Sequence, residues 1–251
     1  MPKTHGMGDQ FWLNGYDIGA DIQSFSEING GFTPLPATAI THSAEARMGG
    51  PRTGSMNALS YWNPDADREH AVFSPLPTSD VLATYAHTSA IGGPSANLTA
   101  KQVSYDVQRG QDGSLMLPVP LLSNAYGLQW AFQATAGRRV DASATAAGAV
   151  TAYDQGSATP GAFGLTMYVH LFALSSGSVT IKLQESSDNG ADAYADVTGA
   201  TTGALSSAHQ GLRIQTGAIN VERYLKVVTT GTFTNADFSV SVVRHRVLTE
   251  F

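Results

Sequence analysis

The 251-residue sequence has no cysteine, which excludes disulfide cross-links and thiolate metal centres. Charge is scarce: Asp, Glu, Lys and Arg make up 14% of residues, against roughly 25% in an average soluble protein. There is no basic stripe. Residues 1–140 carry eight basic and eleven acidic side chains and residues 141–251 six and nine, within a formal net charge of −6. That balance argues against tight nucleic-acid binding through phosphate neutralisation. Long apolar runs are also missing. The longest, from Leu165 to Leu174, is interrupted by His170 and is too short to span a bilayer. Met1–Gln10 shows no basic region followed by an apolar run, so no secretion signal is visible, and synthesis and assembly in a cytoplasm are expected.

Signatures of chemistry are absent as well. There is no Gly-x-Ser-x-Gly elbow, phosphate loop or dinucleotide fingerprint. The seven histidines (His5, His42, His70, His87, His170, His209, His245) include no pair at zinc-ligand spacing on one element. His170, inside an apolar strand, reads as a core or interface histidine. Asn63, Asp65, Asp67 and Glu69 alternate oxygens as a calcium loop does, but its sixth position is Arg68 rather than Gly and its twelfth is Ser74 rather than Glu. A solvated acidic turn is the expectation there. Asp188, Asn189, Asp192 and Asp196 are explained by a hairpin turn. Asn97-Leu98-Thr99 matches a glycosylation acceptor by chance. Carboxylate pairs for glycoside hydrolysis meet only in a fold, and spacing singles out none. The sequence therefore points to no catalytic residue, metal or cofactor.

What is present is β-pattern. Between Phe163 and Arg244 six segments alternate apolar and polar residues: 163–174, 178–185, 193–198, 212–216, 223–230 and 237–246. In Val179, Ile181, Leu183 and in Phe238, Val240, Val242 the alternation predicts one dry and one wet face. Asp188-Asn189-Gly190 predicts a hairpin turn. Residues 11–32 read as two strands about the Asn14-Gly15 turn, and Asn57–Trp62 as a strand ending at Asn63-Pro64. Residues 34–57, rich in Pro and Gly, read as a long loop or extended hairpin arm. Thr78–His87 is expected to be helical: Pro75 and Pro77 precede it, Thr78 or Ser79 can cap it, and Asp80 lies in its first turn. Val103, Tyr105 and Val107 are placed on a strand, with a turn at Arg109–Gly113. The return strand through Leu115–Leu121 is placed at an edge, or paired on one side, by Pro118 and Pro120. The Ala/Gly/Ser/Thr-rich stretch 136–162 divides a core at 1–135 from a β-sandwich-like part at 163–251.

Hydrophobic residues are 42% of the chain and glycines number 26. Low charge with many small residues fits a protein partly covered by its own copies; a secreted β-protein with a bland surface is the other reading. Arg47, Met48 and Arg52, in the glycine-rich arm, are the candidate inter-subunit contacts, because a docked arm buries Met48 and satisfies its backbone groups.

Four stretches, in order, resemble the major tail (tail tube) proteins of long-tailed bacteriophages, particularly those infecting actinobacteria. They are Leu13-Asn14-Gly15-Tyr16-Asp17-Ile18 with Asp21–Ser26; Lys101–Asp106 with Arg109–Leu115; Asn124–Trp130; and Arg223–Ala236. The resemblance implies a mainly β fold: an antiparallel β-sandwich or half-barrel tail-tube core with one short flanking helix, and a C-terminal β-sandwich-like part that completes the subunit or decorates it. It implies a non-enzymatic virion protein whose partners are copies of itself in stacked six-membered rings, with tape measure and tail-end proteins during assembly. Genomic DNA would pass through the lumen without specific binding, and no membrane is involved. The rival classes are a capsid decoration or receptor- or carbohydrate-binding tail component, and a glycan-cleaving tail enzyme.

Overall fold

The computed structural model describes residues 6–145, 150–159 and 162–247. His5 and part of the small-residue stretch lie outside the described residues. The chain runs through β1 (Gln10–Leu13), β2 (Tyr16–Asp17), one 3-10 turn (Gly19–Asp21), β3 (Ile22–Pro36), β4 (Arg47–Tyr61), α1 (Glu69–Phe73), β5 (Val81–Ala86), β6 (Pro94–Gln102), β7 (Gln108–Arg109), β8 (Leu115–Ser123) and β9 (Gln129–Gln133). There follow β10 (Arg139–Asp141), β11 (Tyr153–Asp154), β12 (Leu165–Gly177), β13 (Thr180–Ser186), β14 (Ala195–Thr201), β15 (Gln210–Gln215), β16 (Tyr224–Thr230) and β17 (Phe233–Arg244). The fold is mainly β and antiparallel, as the alternation predicts.

Thirteen strands share one sheet, ordered β15-β12-β17-β9-β6-β5-β1-β2, with β8, β4, β3, β7 and β10 branching from that path. A second sheet runs β11-β16-β13-β14. The two sheets sandwich a C-terminal core in which Met167, Val169, Leu171, Ile181, Leu183, Leu225, Val227, Val240 and Val242 are buried. A second core gathers Phe11, Leu13, Ile18, Met56, Phe73, Leu98, Leu117, Val119 and Leu121. Strand β9 joins the halves: Asn97↔Gln129 and Pro94↔Phe132 pair it with β6, and Val242↔Phe132 and Ser241↔Gln133 pair it with β17. Trp12, Ala86 and Phe172 pack together as a smaller cluster.

All six C-terminal strands form where the pattern places them, and Asn189 (φ 66°) with Gly190 (φ 108°) turns β13 into β14. On β13 the alternation separates core from surface. On β17 it does not: Ser239 and Ser241 are as buried as Val240. Their hydroxyls face a polar seam, Ser241 donating to Asn97 Oδ1 at 3.0 Å. Alternation there marks two buried faces of different chemistry.

The helix expected at 78–87 does not form. Val81–Ala86 is strand β5, hydrogen-bonded between β1 and β6 and buried on both sides except at Tyr85. A strand covered on both faces loses its period-two signal and can be mistaken for a helix. The short helix is instead Glu69–Phe73, with Phe73 fully buried. Residues 103–107 are not a strand either, and Val103 and Val107 are exposed. The ladder of β6 ends at Gln102, whose side chain donates to the carbonyls of Phe73 (2.8 Å) and Ser104 (3.1 Å). Pro118 and Pro120 find their ladder partners on β4, at Leu59 and Asn57. On the other side of β8 the ladders with β7 and β6 stop at Met116 and begin at Leu121, so Pro118 sits where pairing is one-sided, while the Pro120 carbonyl still accepts Val103 N–H at 3.2 Å.

Candidate assembly surface

Residues 22–61 form a long β-hairpin, β3 against β4, which extends the arm expected at 34–57 back into the core. Its root is anchored by Ile22, Phe25 and Ile28, packed against the second core. The Phe25 ring meets Phe11 edge-on at 5.1 Å and Tyr85 at 5.3 Å. Inward residues recur every third position because the register shifts between Ile22 and Ser24 and again between Phe25 and Glu27. Each bulge resets the alternation by one residue and adds local twist.

Above the root, Gly30 pairs with Gly54 and Leu128 lies across both. A Cβ on Gly54 would stand 2.6 Å from Leu128 N, and one on Gly30 2.8 Å from Leu128 Cβ. The loop bearing Leu128 is pinned in turn. Asn124 N–H donates to Thr99 O at 3.0 Å, and its amide donates to Asp80 Oδ1 at 2.9 Å. Thus Asn124–Trp130, one of the family-like stretches, supports the arm.

Beyond the glycines the hairpin stands clear of the core. Phe32 is 58% exposed and Met48 59%; Leu35 and Ile40 are exposed with them. The tip is ordered by its own bonds: Ala37 N–H to Ala46 O (2.8 Å), Ala46 N–H to Thr38 Oγ1 (2.9 Å) and Ala39 N–H to His42 Nδ1 (3.1 Å). Of the three candidate contacts, Arg47 lies at the tip in an ion pair with Glu45. Met48 sits opposite Leu35. Arg52 is lower, its guanidinium 5.0 Å from the Phe32 ring centre. The sequence reading missed Phe32, Leu35 and Ile40; the signal was available as apolar residues set among Gly30, Gly31, Pro34 and Pro36.

The outer edge of β3 is unpaired among the described residues, since its ladder partner is β4 alone. Over this fifteen-residue strand the N–H and C=O groups that do not point to β4 are left facing outward. Such an edge is a template for another strand, blunted here by Pro34, Pro36 and the register shifts along β3.

The Asn14-Gly15 turn is a second feature of the family-like pattern, and it docks on the C-terminal half. Gly15 N–H donates to His170 Nδ1 (3.1 Å), and Gly15 O lies 3.0 Å from His209 Nδ1. Asn14 Oδ1 accepts Gly211 N–H at 3.1 Å. Tyr16 stacks on His209 with ring centres 4.0 Å apart. The first bond fixes the His170 tautomer: Nδ1 accepts, so Nε2 carries the proton toward Thr84 Oγ1 at 2.8 Å. The Thr84 hydroxyl in turn donates to Asn97 Oδ1 at 2.8 Å. Burial pushes the His170 pKa down to about 3, so the ring is neutral. It is a buried core histidine, as expected. Asn97 is fully buried within this seam, so its side chain is not presented at the surface.

Among the described residues, no three His, Cys, Asp or Glu side chains gather to hold a metal, and no helix is long and apolar enough to cross a membrane. What the geometry defines is a mainly β protein with a protruding apolar arm and a bare strand edge.

No protein-family model and no curated protein matches the chain. Several solved structures are similar to it. One is a chain in the virion of a native gene transfer agent particle, at 13% identity and TM-score 0.39, covering 51% of this chain and 98% of that one. Another is the SPP1 Dit protein, described as a paradigm of the hub adsorption apparatus in phages infecting Gram-positive hosts, at 10% identity and TM-score 0.34, covering 93% and 98%. A third is a chain of the phage p2 baseplate in its activated conformation, at 7% identity and TM-score 0.36, covering 95% and 99%.

Proposed function

We propose that this chain is a structural component of a phage tail, and within that class a major tail (tube) subunit. It self-assembles into rings, six-membered by the family resemblance, that stack into a tube through which DNA leaves the particle. The role is mechanical rather than catalytic, with the virion tail as its location and the host cytoplasm as the place of assembly. Tape measure and tail-end proteins would be its other partners.

The observation that carries this reading is the arm. A two-stranded hairpin is at best marginally stable alone in water, yet this one holds Phe32, Leu35, Ile40 and Met48 in solvent beside an open edge. A neighbouring copy that covers it buries the apolar side chains and pairs the edge, and repetition of one head-to-tail contact closes a ring or extends a filament. Arg47, Met48 and Arg52 are proposed as contact residues on that surface.

Negative-stain microscopy of the purified chain should show rings or tubes, and a persistent monomer absent from tail shafts would end the reading. The rival, a capsid decoration or carbohydrate-binding tail component, has one observation in its favour. Trp130 and Phe132 project side by side from β9, both about half exposed. Glycan binding lost on replacing those two aromatics, in a protein that forms no rings, would establish it.

A further inference from the structure

Two acidic side chains are buried together beneath α1. Glu69, the first residue of α1, is fully buried, and Asp21, the last residue of the 3-10 turn leading into β3, is nearly so. Asn63 links them: its backbone N–H donates to Glu69 Oε2 at 3.2 Å, and its side-chain amide donates to Asp21 Oδ1 at 2.9 Å. The other two oxygens, Glu69 Oε1 and Asp21 Oδ2, are buried and receive no donor from the protein. Two ionised carboxylates in this position would leave two buried acceptors unsatisfied and two like charges unscreened. A proton on Glu69 removes one of the two charges and relieves the like-charge contact with Asp21.

We propose that Glu69 keeps its proton in the folded chain, where it and Asp21 are held by the same Asn63, and that this makes a pH-sensitive catch fastening the segment 62–76 to the root of the arm. The surrounding groups do not replace that proton. His70 Nδ1 accepts from Trp62 Nε1 (3.2 Å) and contacts the Tyr105 hydroxyl. Arg68 donates to Asp17 O (3.3 Å). Tyr105 is close enough for the Glu69 charge to push its own ionisation upward, behind the larger effect of burial. The catch is independent of the assembly reading: a monomer would titrate in the same way.

Electrostatics agree with the geometry. Burial raises the Glu69 pKa to about 7; the Asn63 N–H opposes that rise and the Asp21 charge adds to it. A carboxyl raised in the folded state contributes fully below its unfolded value, near 4.5, and its contribution is lost as pH rises through about 7. Local opening that returns Glu69 to water therefore becomes easier across that window, by up to about tenfold per pH unit, and levels off above it.

The direct test is the carboxyl carbon resonance of Glu69 in the full chain, followed from acid to alkaline pH. A midpoint near 7 is expected; one at or below 4.5, as for a solvated carboxylate or one holding a cation, overturns the proposal. The second measurement is amide exchange at Asn63, Val72 and Ser74, corrected for intrinsic rate, in wild type and Glu69→Gln. Between pH 5 and 7 the wild-type opening constant should rise more than about tenfold, while the variant, which has no proton to lose, stays flat. A variant that keeps the wild-type response refutes the catch. If Glu69→Gln does not fold, the wild-type titration decides alone.

Discussion

Gly15 is a residue for which no substitute is stereochemically available. Its φ of +80° lies in the left-handed region, and a Cβ there would stand 2.6 Å from Gln210 N and 2.8 Å from His209 Cα. Strain of this kind costs about 1–3 kcal/mol before the backbone clash is counted. Gly15→Ala should therefore lower the unfolding free energy by at least that amount, seen as a lower urea midpoint with unchanged slope, and a neutral result would mean the turn does not dock as described. His170, on the other side of the contact, supplies a pH dependence. Its folded pKa is lowered to about 3, and that of His245, also through burial, to about 4, while the unfolded rings titrate near 6.5. Below 6.5 the unfolded chain binds more protons than the folded one, so stability falls as pH falls. His170 alone steepens the loss toward about 1.4 kcal/mol per pH unit. Glu69 acts with the opposite sign between 4.5 and 7, so the wild-type profile is a difference of the two. Urea titrations at pH 6.5 and 4.5 should show a smaller acid loss in His170→Gln than in wild type, and equal losses would remove His170 as the cause.

Among the elements, legibility in the sequence followed the environment of each strand. Strand β13 has one core face and one solvent face, so Val179, Ile181 and Leu183 announce it. Strand β5 is covered on both faces and read as a helix. Strand β6 went unseen because Ser95, Asn97 and Thr99 lie among its buried apolar residues. The arm was legible as a long excursion, but the two bulges at its root, of three along the hairpin, spaced the inward residues Ile22, Phe25 and Ile28 three apart, a period that no regular strand shows. The polar seam was invisible, since His170, Thr84, Asn97 and Ser241 come from four strands and meet only in the fold. Contact residues on the arm carry a prediction that separates assembly from stability. Phe32 and Met48 are exposed in the single chain, so replacing both by Glu should change the unfolding free energy by no more than about 1 kcal/mol, about 0.5 for each. The same pair placed in a buried interface would carry two unpaired charges out of water. Rings should disappear from sedimentation profiles and micrographs while thermal unfolding is retained. Normal rings would show that these side chains lie outside the contact.

In the whole molecule, the question is whether the parts divided by the small-residue stretch can stand apart. The sequence offers 1–135 and 163–251 as two units, and the structure contains two cores. The joint between them is not a linker, however. Strand β9 has β6 on one side and β17 on the other, so removing 163–251 strips one edge from a central strand. The same cut takes Phe172 from Trp12, His170 from Gly15 and Thr84, and Ser241 from Asn97. The polar groups left behind regain water, so the cost of the cut lies in the apolar surface it bares, Trp12 and Ala86 among it. Residues 1–162 expressed alone should therefore show no sigmoidal urea transition by tryptophan fluorescence, and should aggregate through the bared edges of β9 and β3. A fragment that unfolds cooperatively as a monomer would mean that the seam contributes little. The two parts would then be independent domains that happen to share a sheet.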